Sequence, residues 1–354
     1  MARKLRFVVV GLGMGIHHCR AMLNTKNAEL AGVCDHDPER LQEAVREFDV
    51  KPYPRWRDVL RDSTIDAVSI VTESGTHADF GIEAANAGKH ILMEKPVDVT
   101  PQRISKLERA AARTGIKCGC IFQARMDPCN AQLRKAVLAG KMGTVIGVHA
   151  QLPWLRLDSY FAGVHGVWRG TWRWDGGGSL MNQGIHTLDL MCWFAGPVQS
   201  VAGFYKVHNH AIEAEDQTVA ILQFERGALG TLFTTTCAVP ERAQRIYMFG
   251  TKGSFIRNAQ LLESYEMGTS SERARMMARF GGKAKADSTA KDPMALSADG
   301  HTLLIEDLVR AIRTGTEPAI PLSSARHAVD VAVAVYKSGK IGRAIAVGEV
   351  LKRR

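Results

Sequence analysis

Residues 176–189 place several chemically active side chains on what reads as the start of a helix, with the sequence Gly-Gly-Gly-Ser-Leu-Met-Asn-Gln-Gly-Ile-His-Thr-Leu-Asp. Asn182 and His186 are four residues apart, so on a helix their side chains share one face, about 5–6 Å apart at Cβ. Asp189 follows three residues later and is close enough to orient the ring. An imidazole beside an amide, after glycines that let a ligand come close, suits proton transfer. A core histidine on a glycine-capped helix is the alternative interpretation.

A lysine at the end of a predicted strand is the second candidate. Lys95 lies in Glu94-Lys95-Pro96, where Pro96 stops the strand from continuing. Ligands of parallel sheets bind beyond the carboxyl ends of the strands, so we expect Lys95 to point towards the reacting end of a cofactor. Its ammonium could there hydrogen-bond the oxygen of an alcohol or ketone and move a proton, provided that the ordinary lysine pKa of about 10.4 is lowered. A surface lysine is the alternative.

A glycine turn follows the apolar segment Val8-Val9-Val10 and precedes a predicted helix. Gly11 permits a tight turn, and Gly13 lets backbone N–H groups approach a pyrophosphate at the positive end of the helix. The match to G-x-G-x-x-G is imperfect, because Ile16 occupies the third glycine position. The residues predicted to bind the pyrophosphate are Gly11, Gly13, Met14, Gly15 and Ile16.

Asp35 ends the next predicted strand about 20 residues after the glycine turn, as ribose binding requires. A carboxylate there accepts hydrogen bonds from ribose hydroxyls and repels a 2′-phosphate, which favours NAD over NADP. His36 could soften this preference, so NADP stays possible. The alternative interpretation of Asp35-His36-Asp37-Pro38 is a helix cap and turn.

The first third of the chain alternates short apolar strands with helices, which predicts an α/β fold with a doubly wound parallel sheet. The predicted strands are Leu5–Val10, Leu30–Asp35, Ala67–Thr72, His90–Glu94 and Lys117–Phe122. The predicted helices are Thr76–Ala87 and Pro101–Arg113, the latter with Thr100 as N-cap and Gly115 beyond its end.

Long β-type segments dominate after residue 122 and predict an α+β domain with a large open, mainly antiparallel sheet. The strands are Thr144–Leu152, Val198–Val207, Thr218–Glu225, Ala228–Thr236 and Arg245–Phe249, with helices Ser179–Phe194, Thr302–Arg313 and Ser323–Lys337. We therefore predict a cofactor domain over residues 1–123 and a substrate-binding and oligomerisation domain over 124–354. The polar, basic segment 268–299 is predicted to be a mobile loop.

Composition excludes several classes of protein. A chain of 354 residues suits two domains, and its net charge of +10 is spread without the aromatic-rich basic motif of a nucleic-acid binder. The chain contains no apolar run that could cross a bilayer and no apolar leader at its start, so a cytoplasmic location is predicted. The seven cysteines are expected to be reduced. The pairs His17-His18 and His208/His210 have no third ligand nearby in sequence, so no metal is expected.

Taken in order, Gly11–Gly15, Asp35, Glu94-Lys95-Pro96 and the Gly176–Asp189 helix resemble the Gfo/Idh/MocA oxidoreductases over nearly the whole chain. Further family-like stretches are Thr72–His77, Phe122–Arg125, Trp168–Trp172 and Gly250–Gly253. The resemblance implies an N-terminal Rossmann domain and hydride transfer between NAD(P) and one hydroxyl of a sugar, cyclitol or sugar nucleotide. It also implies a homodimer or homotetramer that forms through the open sheet.

The resemblance also implies roles for individual residues. Lys95 matches the catalytic lysine and His186 the catalytic histidine, while Asn182 stands where the family often has an aspartate. An amide cannot take a proton, so proton transfer falls to His186 as general base and to Lys95. The Met-Asn-Gln sequence resembles a branch that includes dehydrogenases of nucleotide-linked amino sugars and uronic acids. Additional cofactor contacts are expected from Thr72, Glu73, Ser74, His77, Glu94 and Lys95.

Substrate contacts are expected from Asn182, from His186 and from residues that precede the catalytic helix. Arg125 remains from a family Asn-Arg pair, whose first member is here Ala124. The others are Tyr160, Trp168, Arg169 and Trp172, on a predicted loop over the pocket, although Trp172 could instead cover a domain interface. Two other functions stay open: a glycosidase that transiently oxidises its sugar with tightly held NAD, and a non-catalytic NAD-binding sensor.

Overall fold

The computed structural model describes residues 3–163, 166–282 and 299–351. The chain divides into two compact units. Unit 1 is Met1–Gln123 with Leu296–Arg326, and unit 2 is Ala124–Ala295 with His327–Arg354. The sequence interpretation assigned everything after residue 123 to one domain, whereas the described residues 299–326 pack with the N-terminal unit. No helix in the described ranges is both long enough and apolar enough to span a membrane.

Unit 1 is built on a six-stranded parallel sheet with the strand order β3-β2-β1-β4-β5-β6. The strands are β1 (Leu5–Val10), β2 (Ala28–Cys34), β3 (Lys51–Tyr53), β4 (Ala67–Ile70), β5 (His90–Met93) and β6 (Cys118–Cys120). The central strands are buried along most of their length, as expected where helices cover both faces of a parallel sheet. This strand order is that of doubly wound dinucleotide-binding sheets.

The helices of the N-terminal segment begin and end at recognisable signals. They are α1 (Gly15–Leu23), α2 (Pro38–Phe48), α3 (Trp56–Arg61), α4 (His77–Asn86) and α5 (Pro101–Thr114). Asp37 caps α2 by accepting the backbone N–H groups of Glu39 and Arg40. Helix α5 begins at Pro101 and ends at Gly115, whose φ of 72° is the left-handed conformation that glycine favours.

The turn between β1 and α1 requires glycine. Gly11 has a φ of +88°, and a Cβ added there would lie 2.6 Å from the carbonyl oxygen of Val71. Val71 follows β4, which pairs with β1 in the sheet. The turn is therefore tight because the neighbouring strand ends directly against it.

Unit 2 contains an eight-stranded sheet with the order β13-β12-β11-β7-β10-β9-β8-β14. The strands are β7 (Val145–Pro153), β8 (Val198–Lys206), β9 (Gln217–Phe224), β10 (Leu229–Thr235), β11 (Arg245–Gly250), β12 (Gly253–Asn258), β13 (Leu261–Glu266) and β14 (Ile345–Ala346). Among these described strands, β7 and β10 are the only neighbours that pair in parallel. Burial alternates along β9, so one face of the sheet is covered and the other is open.

The helices of the rest of the chain are α6 (Pro128–Leu138), α7 (Ile185–Ala195), α8 (Ser270–Phe280), α9 (Asp299–Thr314) and α10 (Leu322–Ile341). The predicted helix from Ser179 needs correction, because its first turn, Ser179–Gly184, is a π-helix that leads into α7. The predicted loop over 268–299 is wrong for its first part: Thr269 and Glu272 form a capping box that starts α8. Residues 283–298 lie outside the described residues.

We predict that Gly11→Ala lowers the free energy of unfolding more than Gly88→Ala does. Both glycines have positive φ, but a Cβ at Gly88 would meet nothing within 4 Å. The Gly88 variant should lose only the left-handed penalty of about 1–2 kcal/mol. The Gly11 variant should lose about 1–3 kcal/mol more, because Val71 must move. Urea unfolding measures both, and equal losses would contradict the steric account.

Candidate active site

Asp35 is held in place at the end of β2. Its side chain is buried, Oδ2 accepts the N–H of Leu12 at 2.7 Å, and Oδ1 accepts the N–H of Asp37 at 2.9 Å. The His36 ring is exposed and lies 3.3 Å from Oδ1. The carboxylate thus sits directly against the glycine turn, where a ribose would be expected.

The N-terminus of helix α1 has neither a side-chain cap nor an acidic residue in its first turn. Its N-cap residue is Met14. The first backbone N–H groups of such a helix lack intrahelical partners and attract negative charge. Together with Gly11 and Asp35, this turn fits a dinucleotide.

The segment after β4 forms a linked loop. The hydroxyls of Thr72 and Thr76 are 2.7 Å apart, and Glu73 precedes the short 3-10 turn Ser74–Thr76. His77 is buried, with Nδ1 2.7 Å from the carbonyl oxygen of Pro96 and Nε2 3.0 Å from that of Thr72. His77 therefore ties together the loops that follow β4 and β5, and its contact with a cofactor remains a prediction.

Lys95 follows β5 on a backbone that its neighbour constrains. The carboxylate Oε2 of Glu94 accepts the N–H of Lys95 at 2.7 Å, and the Lys95–Pro96 peptide is cis. Burial disfavours the ionised form of Glu94, but contacts with His18 and His301 outweigh it and hold the pKa of Glu94 well below its usual value. Lys95 itself is half-buried.

In unit 2, the buried carboxylate of Glu215 holds the start of the catalytic-helix candidate. Oε1 accepts the N–H groups of Gly178 (3.0 Å) and Leu180 (2.9 Å) and the hydroxyl of Tyr336 (2.7 Å). Oε2 accepts the hydroxyl of Ser179 at 2.7 Å. Burial raises the pKa of Glu215, although the hydrogen bonds from these donors act to lower it.

Steric crowding explains why glycines precede the π-helical turn. A Cβ on Gly178 would lie 1.8 Å from the carbonyl oxygen of Glu215, and one on Gly177 would lie 2.2 Å from the Tyr336 hydroxyl. The backbone can therefore reach Glu215 only where side chains are absent. Sequence reasoning missed Glu215, because it lies 36 residues after Ser179 and no local pattern marks it.

Asn182 lies on the π-helical turn, and its amide nitrogen donates to Oδ1 of Asp175 at 2.7 Å. The other oxygen of Asp175 accepts the N–H of Gly170 at 2.8 Å. His186 lies on the first turn of α7. Within Asp175–Met191 every residue except His186 is buried, and His186 is partly exposed.

Asp189 makes a contact that the sequence interpretation did not foresee. Its carboxylate accepts hydrogen bonds from Nε and Nη2 of Arg125 at 2.8 and 2.5 Å, and both side chains are buried. Burial raises the pKa of Asp189, whereas the Arg125 charge lowers it. The predicted partner of Asp189 was the His186 ring, so this assignment is corrected. Arg125 fixes helix α7, and its role as a substrate ligand stays a prediction.

Two arginines surround Tyr160. The guanidinium of Arg169 lies 4.3 Å from the Tyr160 ring centroid and 5.3 Å from that of Trp168. The guanidinium of Arg156 lies 5.3 Å from the Tyr160 centroid. The Tyr160 hydroxyl accepts the amide of Gln183 at 3.2 Å, which links this group to the turn before His186. Arg156 and Gln183 were missed, although both lie within or beside segments that the sequence analysis singled out.

Trp172 belongs to an aromatic cluster. Its ring lies edge-on to Tyr205 and Tyr336, with centroids 5.6 and 5.0 Å away. Tyr336 in turn donates to Glu215, so Trp172 supports the residue that holds the helix start. A contact between Trp172 and substrate remains a prediction.

Two clusters of possible metal ligands include His18 and His210, together with residues that are distant in sequence. His18, Glu94 and His301 place one ligand atom each within 4.8 Å of one another, and so do His210, Asp216 and Cys237. Asp216 already accepts the backbone N–H groups of residues 208, 209 and 210. This second cluster is therefore a loop-closing arrangement as it stands.

Two family models match the chain. Residues 5–122 match the oxidoreductase family with an NAD-binding Rossmann fold, and residues 130–256 match the GFO/IDH/MocA C-terminal domain. The chain belongs to the Gfo/Idh/MocA family. It is an oxidoreductase of that family, NAD is its cofactor, and its fold is the predicted α/β arrangement of a parallel Rossmann sheet and a second, mainly antiparallel sheet.

Several characterised proteins are similar to this Gfo/Idh/MocA chain over its full length. The WlbA dehydrogenase from Bordetella pertussis, solved with NADH and UDP-GlcNAcA, is 28% identical, with a TM-score of 0.87 over 98% of each chain. WlbA from Chromobacterium violaceum is 27% identical, with a TM-score of 0.85 over 98% of this chain and 96% of that one. The scyllo-inositol 2-dehydrogenase (NAD(+)) of Bacillus subtilis is 25% identical over 97% of this chain and 96% of its own.

We predict that Glu215→Ala lowers the free energy of unfolding by at least about 3 kcal/mol, because several buried donors lose their acceptor together. Glu215→Gln, which keeps an acceptor oxygen, should lose less. Glu213→Ala removes an exposed carboxylate that accepts the N–H of Trp172 at 3.1 Å, and it is the control for the loss of an exposed acceptor. Urea unfolding followed by circular dichroism compares the three variants. A loss at Glu215→Ala no larger than that at Glu213→Ala would show that the helix start does not depend on this carboxylate.

Proposed function

We propose that this chain transfers a hydride between NAD and a secondary alcohol of a sugar acid or nucleotide-linked sugar. The observation that carries the proposal is the partly exposed His186 on an otherwise buried segment. A buried run that exposes one imidazole suits a general base better than a core histidine, which would be enclosed like its neighbours.

The cofactor accepts or donates the hydride, and the protein's residues supply orientation and proton transfer. His186 takes the hydroxyl proton during oxidation and returns it during reduction. For Lys95 we propose the role that the family resemblance implies, which is to hydrogen-bond a reacting alcohol or ketone oxygen and stabilise the charge that develops on it. Asn182, which Asp175 holds through its amide nitrogen, orients the substrate or the imidazole.

A negatively charged substrate is favoured by the residues around Tyr160. Arg156 and Arg169 bring two guanidinium groups to this ring, and Gln183 joins it to the turn before His186. Arginine recognises carboxylates and phosphates through two parallel hydrogen bonds, and Trp168 offers a face for stacking. The similarity to WlbA, which was solved with UDP-GlcNAcA, supports the same class of substrate.

A cyclitol is the second candidate substrate, since the full-length relative from Bacillus subtilis is an inositol dehydrogenase. A cyclitol carries no charge for Arg156 and Arg169 to bind. The test is a spectrophotometric screen for NADH formation with UDP-GlcNAcA, free uronic acids, scyllo-inositol and myo-inositol. Release of an aglycone without net NADH would favour the glycosidase, and tight NAD binding without turnover would favour the sensor.

We also propose that the open face of the unit 2 sheet forms a homodimer or homotetramer. Large apolar side chains are exposed there on neighbouring strands, with Phe204 at 73%, Ile221 at 59% and Leu229 at 58% exposure. Phe204 pairs with Val219 across β8 and β9, and Ile221 is the next residue on the same face of β9, so these three side chains form a patch. Patches of this kind on soluble proteins mark association surfaces. The cytoplasmic location stays a prediction from the sequence.

We predict that His186→Ala and Lys95→Ala each lower kcat by about 10²–10⁴-fold, the contribution typical of a positioned acid–base group. NADH binding should be retained, because neither change affects the glycine turn or Asp35. Stopped assays with the best substrate of the screen give kcat, and NADH fluorescence gives the Kd.

Asp35→Ala is the contrasting variant, because it should weaken NAD binding and reduce the preference for NAD over NADP, whereas the His186 and Lys95 variants should retain NADH binding. Near-normal turnover in either the His186 or the Lys95 variant would reject the catalytic assignment. Loss of NADH binding in both would point to misfolding instead.

We predict that Ile221→Glu shifts the protein to a smaller oligomer, because a charge in the centre of the apolar patch must be desolvated on association. Leu138→Glu is the control, since Leu138 is 65% exposed at the end of α6 and lies outside the sheet. Size-exclusion chromatography with light scattering measures the mass. An unchanged mass in Ile221→Glu would reject this surface as the interface.

A further inference from the structure

Glu94 lies in a buried polar cluster whose members come from separate elements of unit 1. His18 on α1 places Nε2 3.1 Å from Oε1 of Glu94, and its Nδ1 lies 2.7 Å from the hydroxyl of Ser69 on β4. His301 on α9 places Nε2 3.6 Å from the same oxygen. The rings of the two histidines pack edge to face, with centroids 4.9 Å apart.

The protonation states fix the direction of these hydrogen bonds. Glu94 is ionised at neutral pH, because its pKa is held well below the usual value, so its oxygens can only accept. Burial lowers the pKa of His18, against the hydrogen bond to Glu94, which raises it, so the ring is neutral and carries one N–H. That proton is on Nε2 and is donated to Glu94. Nδ1 then accepts the hydroxyl proton of Ser69.

The second oxygen of Glu94 connects this cluster to the chemistry. Oε2 accepts the backbone N–H of Lys95 at 2.7 Å. Oε1 is held by His18 and lies within electrostatic reach of His301, although 3.6 Å is too long for a hydrogen bond. The other charged or titratable groups that act on the cluster are His17 and Lys95. A carboxylate restrained on both oxygens restrains the backbone from which the Lys95 side chain projects.

We propose that His18 and His301 are positioning residues that act through Glu94 to hold Lys95 in its reactive orientation. This inference rests on the proposed function, in which Lys95 hydrogen-bonds the reacting oxygen. His301 on helix α9 is far from Lys95 in sequence, and under this proposal it affects catalysis without contacting the reacting atoms. Displacements of about 1 Å in a catalytic group can cost about a hundredfold in rate, so a rigid carboxylate under Lys95 is of direct use.

The same three side chains could instead bind a metal ion, since their ligand atoms lie within 4.8 Å of one another. The hydrogen-bonded arrangement is favoured because the His18–Glu94 separation of 3.1 Å is that of a direct hydrogen bond. Both oxygens of Glu94 and both nitrogens of His18 then have partners without an ion. Measuring the zinc content of the purified protein separates the two accounts.

The experiment compares His18→Leu, which removes the donor, with His18→Gln, whose amide nitrogen can replace Nε2. Ser69→Ala is a milder variant that removes only the bond to Nδ1, in case His18→Leu does not fold. His301→Leu tests the second histidine. His90→Leu is the control, because His90 is a half-buried histidine at the opposite end of the same strand, β5. Each variant is assayed for kcat and KM with UDP-GlcNAcA, for NADH affinity and for zinc by mass spectrometry.

We expect His18→Leu to lower kcat ten- to a hundredfold and His301→Leu several-fold, with NADH affinity within twofold of the parent protein. His18→Gln should recover most of the lost kcat, and His90→Leu should leave it unchanged. Equal losses in His18→Gln and His18→Leu would overturn the proposal, because the shape of the ring and not its donor would then matter. One zinc per chain that disappears in His18→Leu would overturn it too.

A readout without substrate separates this inference from the proposed function. Acetic anhydride labels lysine amines, and peptide mass spectrometry gives the labelling rate of Lys95 relative to other lysines of the same sample. His18→Leu and Ser69→Ala should change that rate at least about threefold, while His90→Leu should not. If the parent protein turns over no substrate in the screen, the proposed function fails while the labelling result still decides this inference. An unchanged labelling rate of Lys95 in both His18→Leu and Ser69→Ala rejects it.

Discussion

The geometry of unit 2 depends on one buried carboxylate. Glu215 accepts the backbone N–H groups at the start of the π-helical turn, where a helix has donors without intrahelical partners. The turn sets the position of Asn182, and helix α7 then carries His186. The glycines before it are required because the backbone must approach Glu215 and Tyr336 more closely than a Cβ would allow. A buried carboxylate thus decides where the candidate base stands.

Unit 1 uses carboxylates in the same way at two strand ends. Asp35 accepts the N–H of Leu12 in the glycine turn, and Glu94 accepts the N–H of Lys95. Each restrains a backbone segment that the proposed chemistry needs, the first for the dinucleotide and the second for the reacting oxygen. The strand ends of a parallel sheet lack further ladder partners, so side-chain acceptors there satisfy backbone groups that would otherwise be exposed to a ligand.

Much of the fold could be predicted because its signals are local. The predicted bounds of strand β1 match the observed ones. Helix α5 begins at Pro101 and ends before Gly115, as these two residues indicate, although the side chain of Thr100 makes no capping bond. The composition of the α8 segment predicts a loop because its residues are mostly polar, small and basic, and none of the α8 residues is buried in the structure. Its capping box, Thr269 with Glu272, was the signal that could have identified it. The π-helical turn has no such local signal, because the carboxylate that accepts hydrogen bonds at its start belongs to Glu215, 36 residues after Ser179.

Neighbouring residue types and their spacing were enough to predict the class of fold, the glycine turn, Asp35, and the candidates Lys95 and His186, because backbone conformation depends on local sequence. The partners of these residues follow only from the packing of the elements. Asp189 pairs with Arg125 and not with the predicted His186 ring, and His301 joins Glu94 from a helix far along the chain. A hydrogen bond or ion pair depends on the distance between two atoms in space. That distance is set by how the elements pack, and spacing in sequence does not contain it.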